Sequence, residues 1–145
     1  MYVRSAVEAL PAELSGVADH VTAILPWGSL LAALVRPLVP VLRSVRGLCQ
    51  SQARLTVVFA LDPRRDQAES RRLGLPTLAP EHFQTTLSAG YRAAGFELKR
   101  VWVLGGETLR AWPSSWARRL AFGTGRSFYQ IDAVAAYEAG VTGPR

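Results

Sequence analysis

Leu55-Thr56-Val57-Val58-Phe59-Ala60-Leu61 is the stretch from which the fold is read. A continuous apolar run rich in β-branched residues, with no polar alternation, suits a strand covered on both faces, as in a parallel sheet flanked by helices. Three further runs read as strands: His20 to Leu25 (HVTAIL), Leu98 to Leu104 (LKRVWVL) and Phe128 to Ala136 (FYQIDAVAA). Met1 to Ala6 is a candidate fifth strand at an edge. Helical patterns lie between these runs, so the chain reads as an α/β domain rather than a bundle or a sandwich.

The first helical pattern, Ser29 to Leu48, carries Leu30, Leu31, Leu34, Val35 and Leu38, then Val41, Leu42 and Val45, with Arg43 and Arg46 turned outward. Pro37 and Pro40 predict a kink or a split within it. The second begins at Pro80 and Glu81, residues suited to a first turn. It places Phe83, Leu87 and Tyr91 on one face and ends near Gly95.

Composition bounds the rest. The 145 residues, 49% apolar and 19% charged, suffice for one domain spanning the whole chain. Seventeen basic residues oppose eleven acidic ones for a net charge of +6, and Lys99 is the only lysine. Arginine forks match phosphate geometry, which points to a polyanionic partner, although GC-rich coding also raises arginine. Cys49 stands alone, which excludes an internal disulfide framework and fits a cytoplasmic protein. The longest uncharged run, Val21 to Val35, is too short to span a membrane and contains Pro26 and Gly28. Glu8 interrupts any secretory leader, so export is not expected.

Two connections exceed the usual strand-helix loop of about 2–6 residues. Asp62 to Ala79 holds Arg64, Arg65, Arg71 and Arg72; Gly105 to Arg126 holds Arg110, Arg118, Arg119 and Arg126 beside Trp112 and Trp116. Nucleotide-loop, zinc-protease and serine-elbow motifs are absent, and His20 and His82 have no ligand-spaced companions, so no metal is expected.

Ile24-Leu25-Pro26-Trp27-Gly28-Ser29-Leu30-Leu31 puts an indole directly after a buried strand, at the edge where open α/β sheets bind ligands. Trp27 either plugs the strand-helix corner or serves as a stacking platform. Pro113-Ser114-Ser115-Trp116-Ala117-Arg118-Arg119-Leu120 reads as a short capped helix. Trp116 either docks that helix, leaving its arginines solvated, or joins them in gripping a nucleotide, ring on base and cations on phosphate.

Together with Ser5-Ala6-Val7-Glu8-Ala9-Leu10-Pro11, these segments resemble the aminoglycoside-resistance 16S rRNA methyltransferases that modify N1 of adenine 1408, the Kam and Npm type. The resemblance covers nearly the whole chain in order and spacing. It implies a Rossmann-like class I fold using S-adenosylmethionine (SAM), with strand order 3-2-1-4-5-7-6 and an antiparallel last strand. By position it assigns Val7, Glu8, Ile24, Ser29 and Ser114 to the cofactor, and Trp27 and Trp116 to the faces of a flipped adenine. Arg118, Arg119 and Arg126, with Arg64, Arg65, Arg71 and Arg72, are assigned to 16S rRNA in the 30S subunit.

The same resemblance implies that this chain corresponds to strands 3 to 7. The family's glycine-rich loop after its first strand and the acidic residue ending its second have no counterpart, and the edge at His20 to Leu25 is expected to be unpaired. A fragment of the enzyme is the expectation. The alternatives are a short rRNA-binding relative without catalysis, a form completed by a second chain, or half of a small-molecule SAM methyltransferase.

Overall fold

The computed structural model describes residues 4–111, 115, 118–119 and 127–137. Among the described residues four strands form one sheet: β1 Ala18–Ile24, β2 Cys49–Ala60, β3 Phe96–Leu104 and β4 Phe128–Ala135. Their order is β1-β2-β4-β3. β1 and β2 run parallel, while β4 lies antiparallel to both of its neighbours. This is the expected 4-5-7-6 segment of the Rossmann-like order, with the last strand inserted antiparallel.

β2 is covered on both faces, which is why its sequence shows no alternation. Leu55, Val57 and Phe59 join the main core with Leu31, Leu34, Leu42 and Tyr91. Val58 and Ala60 join a second cluster with Leu104, Leu109 and Phe128 on the opposite face.

The prolines divide the first helical pattern as expected. Helix α1, Gly28–Val35, and helix α2, Val39–Leu48, are bent by 94° at the break. Pro40 sits in the first turn of α2, where a backbone N–H would have no helical partner. Helix α3, Gln67–Leu73, rises within the first long connection and ends at Gly74, whose φ of +59° suits a left-handed cap. Residues 80–93 are helical throughout as α4 Pro80–His82, a π-turn Phe83–Leu87 and α5 Ser88–Ala93. Thr85 Oγ1 donates to the Glu81 carbonyl in the widened part, at 2.8 Å. A short α6, Gly106–Arg110, follows β3.

One strand expectation is corrected. Arg4–Ala6 are not in a strand, and Met1 to Val3 lie outside the described residues. A strand requires a partner ladder. Here the Ser5 hydroxyl instead donates to the Ala9 carbonyl, at 2.5 Å, and the chain enters the 3₁₀ turns Val7–Ala9 and Ala12–Leu14.

Helix α5 reaches the α1–α2 break at Gly90. A Cβ there would stand 2.4 Å from Cβ and Cγ of the buried Pro37, a ring fixed to the backbone. Gly90→Ala is therefore expected to destabilise the fold by about 1–3 kcal/mol despite alanine's better helix propensity. A urea midpoint equal to or above wild type would contradict this close packing.

Tyr91 is fully buried, and its hydroxyl donates to the Leu34 carbonyl at 3.2 Å. Burial pushes its phenol well above the ordinary range. The folded state thus keeps the proton that the unfolded chain releases above about pH 10. The stabilisation is complete below that pH and is lost as pH rises through it. Urea midpoints between pH 8 and 11 should fall less steeply for Tyr91→Phe than for wild type.

Candidate target-base and nucleic-acid site

The C-terminal end of β1 is built from two left-handed residues around an indole. Leu25 has φ +53° and donates its N–H to the Val58 carbonyl at 2.6 Å; Gly28 has φ +63°. For a γ-branched residue such as leucine, this backbone region is sparsely populated and strained. Between them Pro26 is buried, while Trp27 caps α1 and remains 46% exposed. About half of the indole surface therefore faces solvent at the strand-helix corner. It is a large apolar ring carried between a strand and a helix and partly presented to solvent.

Ile24 and Ser29 stand at this same end, Ile24 half-buried as the last residue of β1 and Ser29 exposed in the first turn of α1. Val7 and Glu8 stand in the 3₁₀ turn Val7–Ala9 before β1. Their turn packs on α2, and Glu8 lines a cavity of about 310 Å³ with Ser44, Gly47 and Leu48 that includes none of Ile24, Trp27 and Ser29. Ser114, Trp116 and Arg126 lie outside the described residues. Arg118 and Arg119 are helical and exposed.

In the connection after β2, carboxylates fix the turn and leave specific cations available. Asp62 Oδ1 accepts the backbone N–H groups of Arg64 and Arg65 at 2.9 and 3.0 Å, and Asp66 Oδ2 accepts that of Asp62 at 2.9 Å. Arg72 donates through Nε to Glu69 at 2.8 Å, a hydrogen bond that holds the Glu69 carboxyl below its usual range. The Arg71 guanidinium makes no ion pair or hydrogen bond among the described residues, and it is exposed at the end of α3. Arg36 Nη1 donates to the Leu73 carbonyl at 3.0 Å, which ties the end of α3 to α1.

Sequence reasoning did not find the polar row that crosses the sheet on the face opposite the main core. His20 Nε2 lies 3.1 Å from Thr56 Oγ1, Thr56 is the register partner of Asp132, and Arg100 Nη2 donates to Asp132 Oδ2 at 3.2 Å. Arg100 also stands 4.1 Å over the Trp102 ring, whose buried Nε1 has no hydrogen-bond partner among the described residues. Nor did it find the stack of Tyr129 on Phe59, with centroids 5.4 Å apart. Both depend on cross-strand register, which no local pattern encodes.

The family model described as NpmA, 16S rRNA (adenine(1408)-N(1))-methyltransferase, matches residues 1–135. A 16S rRNA (adenine(1408)-N(1))-methyltransferase of Escherichia coli is 35% identical over 136 residues, covering 91% of this chain and 61% of that protein. One from Streptoalloteichus hindustanus is 33% identical over 122 residues, covering 83% and 54% respectively. Among solved structures, the aminoglycoside resistance methyltransferase NpmB1 superposes with a TM-score of 0.71 at 41% identity, covering 92% of this chain and 59% of that one. The Catenulisporales acidiphilia enzyme, as a W203A mutant with cosubstrate SAM, superposes at 0.77 and 33% identity, covering 97% and 62%. This chain thus spans about three-fifths of the length of the relatives it matches.

Proposed function

The chain belongs to the 16S rRNA (adenine(1408)-N(1))-methyltransferase family, and from that premise we propose that it is the base-presenting, rRNA-facing part of such an enzyme. The reaction is methyl transfer from SAM to N1 of adenine 1408 in the decoding site of the 30S subunit, in the cytoplasm, giving aminoglycoside resistance. The single observation that carries the reading is Trp27, an exposed indole held between two left-handed residues at the ligand-binding edge of the sheet.

The chemistry asks little of acid-base groups. Adenine N1 already carries an in-plane lone pair, so no proton need be removed before attack. When bound, SAM supplies a methyl group on sulfur whose bonding pair returns to the sulfur as the N1–C bond forms. What the chain must do is hold an extruded base flat and in line, because orientation supplies most of the acceleration. Trp27 offers one stacking face, Trp116 is proposed for the other, and Arg64, Arg71, Arg72, Arg118, Arg119 and Arg126 with Arg65 are proposed to engage rRNA phosphates. Ile24 and Ser29 fit one side of SAM by offering an apolar surface and a hydroxyl; Ser114 is proposed to join them. Val7 and Glu8, in the turn before β1, are proposed to lie against the adenine of SAM. The residues present thus fit part of that group, and the methionine and ribose would be held by a glycine loop and an acidic residue that this sequence does not contain.

A form completed by a second segment is the other reading, favoured because β1 pairs only with β2 and its outer edge has no strand neighbour among the described residues. Primer extension on 16S rRNA from cells expressing the chain, and separately a form extended upstream in frame, tests both. A stop at adenine 1408 in either supports methyltransferase function. Its absence in both, with no salt-dependent binding to 30S subunits, defeats it.

A further inference from the structure

A cavity of about 330 Å³ opens between the end of β2, α3 and residues 74–78. That volume lies at the lower end of small-ligand pockets, about 300–1,000 Å³. Its apolar surface comes from Leu61, Leu75, Leu78 and the ring of Tyr129. Phe59, itself fully buried, stacks on that ring at an interplanar angle of 18° and so fixes the plane it presents. Gln67, Ser70 and Arg71 of α3 supply the polar side.

The charges of this segment decide the ligand class. Asp62, Asp66 and Glu69 are each occupied with backbone N–H groups or with Arg72. None of them neutralises Arg71, whose guanidinium has no partner among the described residues. An apolar cavity with an aromatic wall, amide and hydroxyl groups on one side and a guanidinium without a partner among the described residues matches a nucleobase joined to a phosphate.

We propose that this cavity is a second nucleotide subsite, which takes an unpaired RNA base other than the target adenine, with the base against Tyr129 and its phosphate on Arg71. The identity of the RNA rests on the rRNA reading above, but the subsite is tested without rRNA. Adenosine and the four nucleoside 5′-monophosphates, titrated into the ¹⁵N-labelled full chain, should shift the amides of Ser70, Gly74, Leu75 and Tyr129 saturably. Arg71→Gln should weaken AMP about tenfold, the scale of one charge-assisted hydrogen bond, while leaving adenosine unchanged. Tyr129→Phe should bind like wild type, and Tyr129→Leu should lose both ligands.

Three results would overturn the proposal: no saturable shift with any mononucleotide, equal weakening of adenosine and AMP by Arg71→Gln, or the same shifts from N-acetyl-leucinamide alone, which would assign the cavity to an apolar side chain. If Tyr129→Leu does not fold, the Arg71→Gln comparison decides alone. Primer extension and Trp27 substitution report on the methyltransferase reading separately, so either can fail without the other.

Discussion

Trp27→Ala is expected to abolish methylation of adenine 1408 while leaving SAM affinity nearly unchanged. Base stacking on an aromatic side chain is worth about 1–3 kcal/mol, or roughly five- to more than a hundred-fold in the population of the extruded base. Unstacking costs a few kcal/mol, so removing one of two faces returns most of the base to the helix. The fold should tolerate the change, because the ring is 46% exposed and belongs to neither core cluster. The measurement pairs primer extension with calorimetry in a form that methylates. Unchanged methylation would remove Trp27 from the target-base site, and loss of SAM affinity in step with methylation would make it a cofactor residue.

Phe59→Ala should cost about 3–5 kcal/mol, a large share of a marginal total. Phe59 is fully buried near the C-terminal end of the longest strand, in the main core with Leu31, Leu34 and Tyr91 and with the Tyr129 ring stacked beside it. Its removal leaves a cavity beside the β2–β4 ladder, where Phe59 pairs with Tyr129 and the backbone has little room to collapse. Phe59→Leu should recover much of the loss by filling most of that volume. Thermal unfolding read by circular dichroism distinguishes them; a Phe59→Ala midpoint within a degree or two of wild type would mean the strand is less tightly packed than its burial indicates.

Every expected strand after Met1 to Ala6 is present, and β2 is the plainest because burial on both faces leaves a continuous apolar signature. The boundaries moved where that signature ends. β2 starts at Cys49, six residues before Leu55, since its first part exposes Gln50, Ser51 and Gln52 and reads as polar. Gln52 at φ +62° and the register shift between Ala18 and His20 mark an irregular start that no periodicity reveals. Proline positions gave the α1–α2 break because their physics is local.

The site was legible in part for the same reason. Trp27 follows directly from its place after a strand. The Phe59–Tyr129 stack joins residues far apart in the chain, and it forms only because β4 lies beside β2. Arg71 and Arg72 are neighbours in sequence, yet only the helical spacing from Glu69 decides which one is paired. Composition alone counts both as equal.

The insertion of β4 between β2 and β3 also sets the order in which the sheet can close during synthesis. Among the described residues β3 has β4 as its only strand neighbour, so residues 96–104 leave the ribosome before the strand they pair with. About two dozen further residues must be translated before Phe128–Ala135 arrives and bridges the two halves at once. Until then the described strands amount to the β1–β2 pair and an open β3 edge, the kind of exposed edge that invites mispairing during synthesis. A ribosome stalled inside residues 105–127 should therefore carry a protease-sensitive β3, and one stalled after β4 has cleared the exit tunnel a protected one.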